Sequence, residues 1–211
     1  MWMECQAGLA GVSRHIRMKK RQAALGFRVK SGWATSVLLA GSIRSPELCD
    51  SRVIELSDPD DLATRQPYHA AMGQLETNVA KLKRRTESVD RMARKAVAEL
   101  LQRSTGCGYR SRRAALVVGS QINPDSIANP HIRAHALEGR LFRTTLESAL
   151  QSQGIRCSVF TERNAYAEAA NILGQSPERI KLAIAELGRS IKGPWRADQK
   201  MAALAAWVSL Q

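Results

Sequence analysis

With 211 residues, 44 % of them apolar, the chain is long enough for one domain with a packed core and too apolar to be a disordered tail. A net charge of +13 and a pI near 10.3 point to a polyanionic partner, with nucleic acid ahead of an anionic membrane surface or an acidic protein. No apolar run approaches the roughly 20 residues that span a bilayer, and no two of Cys5, Cys49, Cys107 and Cys157 have the spacing of a structural zinc site.

Residues 1–17 have no clear period, and basic residues follow their short apolar stretch rather than precede it. That polarity is wrong for a signal peptide. The expectation is a disordered N-terminal extension over 1–17, a single domain over 18–211, and, with four isolated thiols, a cytoplasmic location.

Two extended runs, Ala23 to Lys30 and Trp33 to Ala40, flank Ser31-Gly32, a hairpin signal. Gly41 to Asp50 carries turn residues, and the alternating Arg52 to Leu56 predicts a third strand near an edge. Asp58, Asp60 and Asp61 mark a turn. Met72, Leu75, Val79 and Leu82, then Val89, Met92, Ala96 and Leu100, predict a long helix over Ala70 to Arg103. Its middle is crowded with Lys81, Lys83, Arg84, Arg85, Arg91, Arg94 and Lys95, which could track a phosphate backbone. Alternatively they form a solvated face, partly neutralised by Glu76, Glu87, Asp90 and Glu99.

The apolar Ala114 to Val118 predicts a strand covered on both faces. Asn129 and Pro130 cap and open a helix to about Gln153, which Gly154 stops. A strand over Ile155 to Thr161, a helix over Asn164 to Leu173, a helix opened by Ser176-Pro177, and a final helix after Gly193-Pro194 complete the order. This pattern predicts an α/β fold: a mixed five-stranded sheet, its first three strands antiparallel, with helices on both faces.

His131, His135 and Glu138 lie at i, i+4 and i+7 on one helix face, a spacing that suits zinc, although no third ligand has a clear spacing. A capping or solvent-facing pair is the alternative. Gly139 inside that helix suggests close approach of another backbone, or a cleft lined by Glu138. Cys107, in a Gly-rich turn beside Arg110, Arg112 and Arg113, is a weak nucleophile candidate with no placed base. Aromatic residues make up 5 %, too few for a stacking platform, and Trp33, Trp195 and Trp207 read as core or hinge anchors.

From Ala114 onward, the strand Ala115–Gly119, the helix through Glu138-Gly139-Arg140-Leu141-Phe142 and the strand Ile155–Phe160 follow one another. Leu173-Gly174-Gln175-Ser176-Pro177-Glu178 and the alanine-rich run from Trp195 to Trp207 come next. With Leu25-Gly26-Phe27-Arg28 and Gly32-Trp33-Ala34 near the start, this series resembles the RuvC-type Holliday-junction resolvases of the ribonuclease H-like superfamily, over nearly all of 18–211. The resemblance implies a metal-dependent nuclease, but its acidic positions are mostly missing. Arg28 stands where the family's first strand has a metal-binding aspartate, Val117 to Gly119 where its fourth strand has a glutamate, and Met201 where its last helix has a second acid; Asp198 matches the first.

The reading that follows is a RuvC-like protein that binds structured nucleic acid, DNA first, without standard two-metal cleavage. Arg28 and Asp198 would form a cleft pair, with Arg28, Lys30, Lys81, Arg84, Arg85, Arg91, Arg94 and Lys95 on the nucleic acid. One alternative is an active nuclease that uses Mg or Mn with Asp198 and Glu138 as catalytic candidates; another is a non-enzymatic scaffold with a basic surface. No membrane partner is expected, and a homodimer is allowed.

Overall fold

Arg21–Val29 (β1) and Trp33–Ser42 (β2) are each buried in a continuous run of mostly small and apolar side chains, and the pair closes through Gly32, whose φ is 87°. The computed structural model describes residues 20–70, 73–191 and 193–210, so the expected extension over 1–17 lies outside the described residues.

The third strand, β3, covers Ser45–Glu55 and is much longer than the expected Arg52 to Leu56. Gly41 and Pro46 read as turn residues, yet they face each other inside the β2–β3 ladder. Two features permit this. A register shift between Leu38 and Leu39 absorbs the mismatch, and an edge strand tolerates proline.

The long helix, α1, spans Val79–Gly106 rather than starting at Ala70. Asn78 caps it by accepting from the Lys81 backbone N–H. The expected first turns are replaced by a small antiparallel loop in which His69 bridges to Leu75 and Gly73 has a φ of 72°; Met72 lies outside the described residues. The buried stripe is Val89, Ala93, Val97 and Leu100, one position on from the predicted Met92 and Ala96.

The remaining elements follow the predicted order: β4 (Tyr109–Val118), α2 (Pro130–Ser152), β5 (Arg156–Thr161), α3 (Ala165–Leu173), α4 (Pro177–Leu187) and α5 (Ala197–Val208). As expected, Asn129 caps α2 with Pro130 in its first turn, and Ser176 caps α4. Helix α4 ends at Leu187, before Ile191, and a tight turn over Gly188–Ser190 follows it.

The sheet order is β3-β2-β1-β4-β5, with β1–β2–β3 antiparallel and β1, β4 and β5 parallel. Helices α1 and α2 cover one face through Val89, Val97, Phe142 and Leu146. Helices α3, α4 and α5 cover the other through Leu173, Ile180, Ile184 and Leu204.

Helix α5 lies almost on the backbone of β1. A Cβ placed on Gly26 would sit 2.0 Å from the Ala202 carbonyl oxygen and 2.2 Å from the Ala206 nitrogen. Glycine in the strand and alanines in the helix are what this approach requires. Trp207 at the far end anchors α5 by donating from Nε1 to the Ile43 carbonyl at 2.8 Å.

Candidate functional site

Strands β1 and β4 are parallel neighbours, and connections leave them in opposite directions across the sheet. In open α/β sheets a crevice opens at the carboxyl ends of such a pair. Here a cleft of about 440 Å³ lies between the ends of β1 and β4 and the flank of α2. Arg28, Lys30, Arg140 and Arg143 line it, and among the described residues no carboxylate does. Arg140 is exposed and, among the described residues, has no ion-pair partner; Arg143 is 3.7 Å from Glu147.

Arg28 is 3 % exposed. Its guanidinium donates to the Val29 carbonyl at 3.0 Å, to the Val117 carbonyl at 3.4 Å, and to Glu162 Oε2. Its Nε lies 3.8 Å from Asp198 Oδ1, and Lys30 Nζ lies 3.4 Å from that same oxygen. The chain thus brings Arg28 and Asp198 together, because Gly26 lets α5 settle with Asp198 in its first turn over the end of β1. Two cations and two carboxylates balance the charge at this centre. Glu162 was not identified from the sequence. Its signal is its place, immediately after the last residue of β5 and beside β4.

The expected phosphate contacts divide. Arg28 and Lys30 reach the cleft. Lys81, Arg84, Arg91, Arg94 and Lys95 are exposed on α1 and do not line it. Arg94 bonds to Asp90 at 2.7 Å, and Lys95 stands 4.0 Å from Glu99, as the neutralised-face reading expects. Arg85 is a correction. It is largely buried, donates to the Pro67 and His69 carbonyls and lies 3.4 Å from Glu76, so it braces the loop before α1 instead of facing solvent.

Glu138 is a second correction. It is fully buried and does not line the cleft. Its Oε1 accepts from His69 Nδ1 at 2.7 Å, and its Oε2 is 3.6 Å from His135 Nδ1. Burial pushes the Glu138 carboxyl above the usual glutamate range, and the bond to His69 offsets part of that. Burial, then the neighbouring His69 and His131, lower the pKa of His135. Gly139 does not serve a close backbone approach, since a Cβ there would meet nothing within 4 Å; it lines the cleft instead. Cys107 is exposed, and Cys49 and Cys157 are free thiols like it; Cys5 lies outside the described residues.

Among the described residues, one group of three His, Cys, Asp or Glu side chains could hold a metal: His69, His131 and His135. His69 is 62 positions from His131 in sequence, so no spacing rule could have found it. No described helix is long and apolar enough to cross a membrane.

No protein-family profile matches the chain, and no curated protein matches it in sequence. Solved structures do. RuvC of Thermus thermophilus in complex with a Holliday junction substrate superposes with a TM-score of 0.53 at 12 % identity, over 89 % of this chain and 91 % of that one. A second Thermus thermophilus RuvC structure gives 0.52 at 12 %, over 88 % and 92 %. The yeast mitochondrial Holliday junction resolvase gives 0.42 at 11 %, over 90 % and 78 %. The mixed five-stranded sheet, its β3-β2-β1-β4-β5 order and the two Thermus superpositions lead to one conclusion: the chain has the ribonuclease H-like fold in its RuvC-like form.

Proposed function

We propose that this protein binds structured nucleic acid, DNA first, by gripping phosphates in the cleft at the ends of β1 and β4, without standard two-metal cleavage. The observation that carries the reading is the cleft's lining: Arg140, exposed and without an ion-pair partner among the described residues, with Arg143 and Lys30 beside it and, among the described residues, no carboxylate; Arg28 is held at the back by Glu162. Guanidinium groups pair with phosphate oxygens in a bidentate fork, and a low-dielectric wall strengthens each pair. The net charge of +13 draws a polyanion toward the cleft. RuvC of Thermus thermophilus, similar in fold, is seen with a Holliday junction, which makes a branched duplex the first ligand to try.

The same centre argues against metal-assisted cleavage. Two divalent ions need several oxygen ligands around a shared point. The two carboxylates here, Glu162 and Asp198, already face Arg28 and Lys30. A cation entering would have to displace a buried guanidinium.

Fluorescence anisotropy with a labelled four-way junction and a matched duplex, over a range of salt, tests the binding. Each lost phosphate contact lowers the slope of log affinity against log salt by about 0.9. Arg140→Ala with Arg143→Ala should therefore weaken binding and flatten that slope by about 1.8. An unchanged slope would move the contact elsewhere, and absence of binding at low salt would favour a scaffold.

A further inference from the structure

Three of the chain's four histidines converge on one point, although they come from two distant segments. His69 comes from the loop before α1, and His131 and His135 from the first two turns of α2. Their ring centroids are 4.4 to 5.1 Å apart.

Two of the outer nitrogens have hydrogen-bond partners. His69 Nδ1 meets Glu138 Oε1 at 2.7 Å, and His131 Nδ1 meets the Gly73 carbonyl at 3.1 Å. His135 Nδ1 lies 3.6 Å from Glu138 Oε2, too far for a hydrogen bond, and that oxygen is buried without a hydrogen-bond partner. The first two partners accept, so they assign a hydrogen to Nδ1 of His69 and His131 and leave a lone pair on Nε2 of each.

Two of the three Nε2 atoms therefore carry no hydrogen. His131 and His135 bring theirs to 3.3 Å, and His69 Nε2 is buried with no hydrogen-bond partner. A buried nitrogen left without a partner bears its desolvation cost uncompensated. A hydrogen on His135 Nε2 can be donated to His131 Nε2, but His69 Nε2 and Glu138 Oε2 then stay without a partner. A cation held by all three rings would satisfy His69 Nε2 and place a hydrogen on His135 Nδ1, on the side of Glu138 Oε2. Metal–imidazole bonds of about 2.0–2.1 Å in a tetrahedron put ligand nitrogens about 3.3–3.4 Å apart. The His131–His135 pair already has that spacing, and the three ligand atoms lie within 4.8 Å of one another.

We propose that His69, His131 and His135 form a zinc-class metal site, with Glu138 holding the ligands from behind and a fourth position left open to solvent. Three neutral imidazoles suit zinc and its neighbours rather than magnesium. A carboxylate or carbonyl behind each ligand is the usual arrangement for fixing tautomer and ring orientation. The open position follows from exposure: His69 is nearly buried, whereas His131 and His135 are exposed. Gly73 permits the approach, since a Cβ there would sit 3.1 Å from His131 Nδ1. The metal ties the loop before α1 to the start of α2, and His135 also stands on the wall of the basic cleft. The site is independent of the nucleic-acid reading and is tested without nucleic acid.

Tag-free, metal-stripped full-length protein is titrated calorimetrically with Zn2+, and separately with Mg2+. The expected result is one zinc per chain and no magnesium uptake. Co2+ should give the intense visible bands of a four-coordinate site, and zinc-edge X-ray absorption should count three imidazole nitrogens. His131→Ala and His135→Ala change exposed side chains and leave the fold intact by circular dichroism. Each should weaken zinc binding by more than about 100-fold, and Glu138→Gln by about 10–100-fold. No stoichiometric zinc, or zinc uptake that survives the His131→Ala, His135→Ala double variant, would overturn the proposal.

Discussion

At the scale of single residues, Arg28 sets the charge at the centre of the sheet. It stands where the resolvase resemblance places a metal-binding aspartate, and its charge is met by Glu162 and Asp198. A fixed guanidinium cannot ligate a cation, and it occupies two carboxylates that could. Arg28→Asp would gather three carboxylates at one point. We expect this variant to gain stability in millimolar Mg2+, read as a rise in Tm, while the wild type shows none; an Arg28→Asp protein indifferent to Mg2+ would mean that the geometry of the centre, not its charge, excludes the ion. Arg28 and Asp198 were legible in the sequence because each sits on a recognisable run, Leu25-Gly26-Phe27 and the alanine-rich helix. Glu162 was missed because it lies just past the strand that was read, in a turn without pattern. His69 was missed for a deeper reason: only the folded loop, pinned by Arg85 to the Pro67 and His69 carbonyls, brings it to His131.

At the scale of elements, the contact of α5 with β1 is the one on which the centre depends. Gly26 has α5 backbone directly above it. Gly26→Ala cannot be absorbed by a side-chain rotation, because the obstructing atoms are main chain. The expected cost is about 1–3 kcal/mol or more, the range for overpacking, and thermal unfolding measures it. A Gly26→Ala protein as stable as wild type would contradict the tight seating of α5. The predicted elements that failed did so where periodicity and local chemistry disagreed. Met72, Leu75 and Val79 fit a helical stripe, but Gly73 takes a left-handed φ and Asn78 supplies the true cap. Val79 itself is 78 % exposed, so that part of the stripe never reached the core. In β3, Gly41 and Pro46 read as breakers, yet an edge strand with a register shift accommodates both.

At the scale of the whole molecule, the order of strands and helices was legible almost throughout, because the apolar runs have the lengths and periods of strands and helices that a layered α/β arrangement buries. The two cores, one under α1 and α2 and one under α3 to α5, follow from the two faces of those runs. The fold alone does not fix the chemistry. What distinguishes this molecule is a surplus of positive charge around a cleft whose centre has its acids tied to cations. The most direct test follows a four-way junction bound by the protein after Mg2+ or Mn2+ is added, with binding and strand integrity read from the same sample. The account predicts a complex that persists with every strand intact. Metal-dependent nicking that disappears in Asp198→Asn would contradict it.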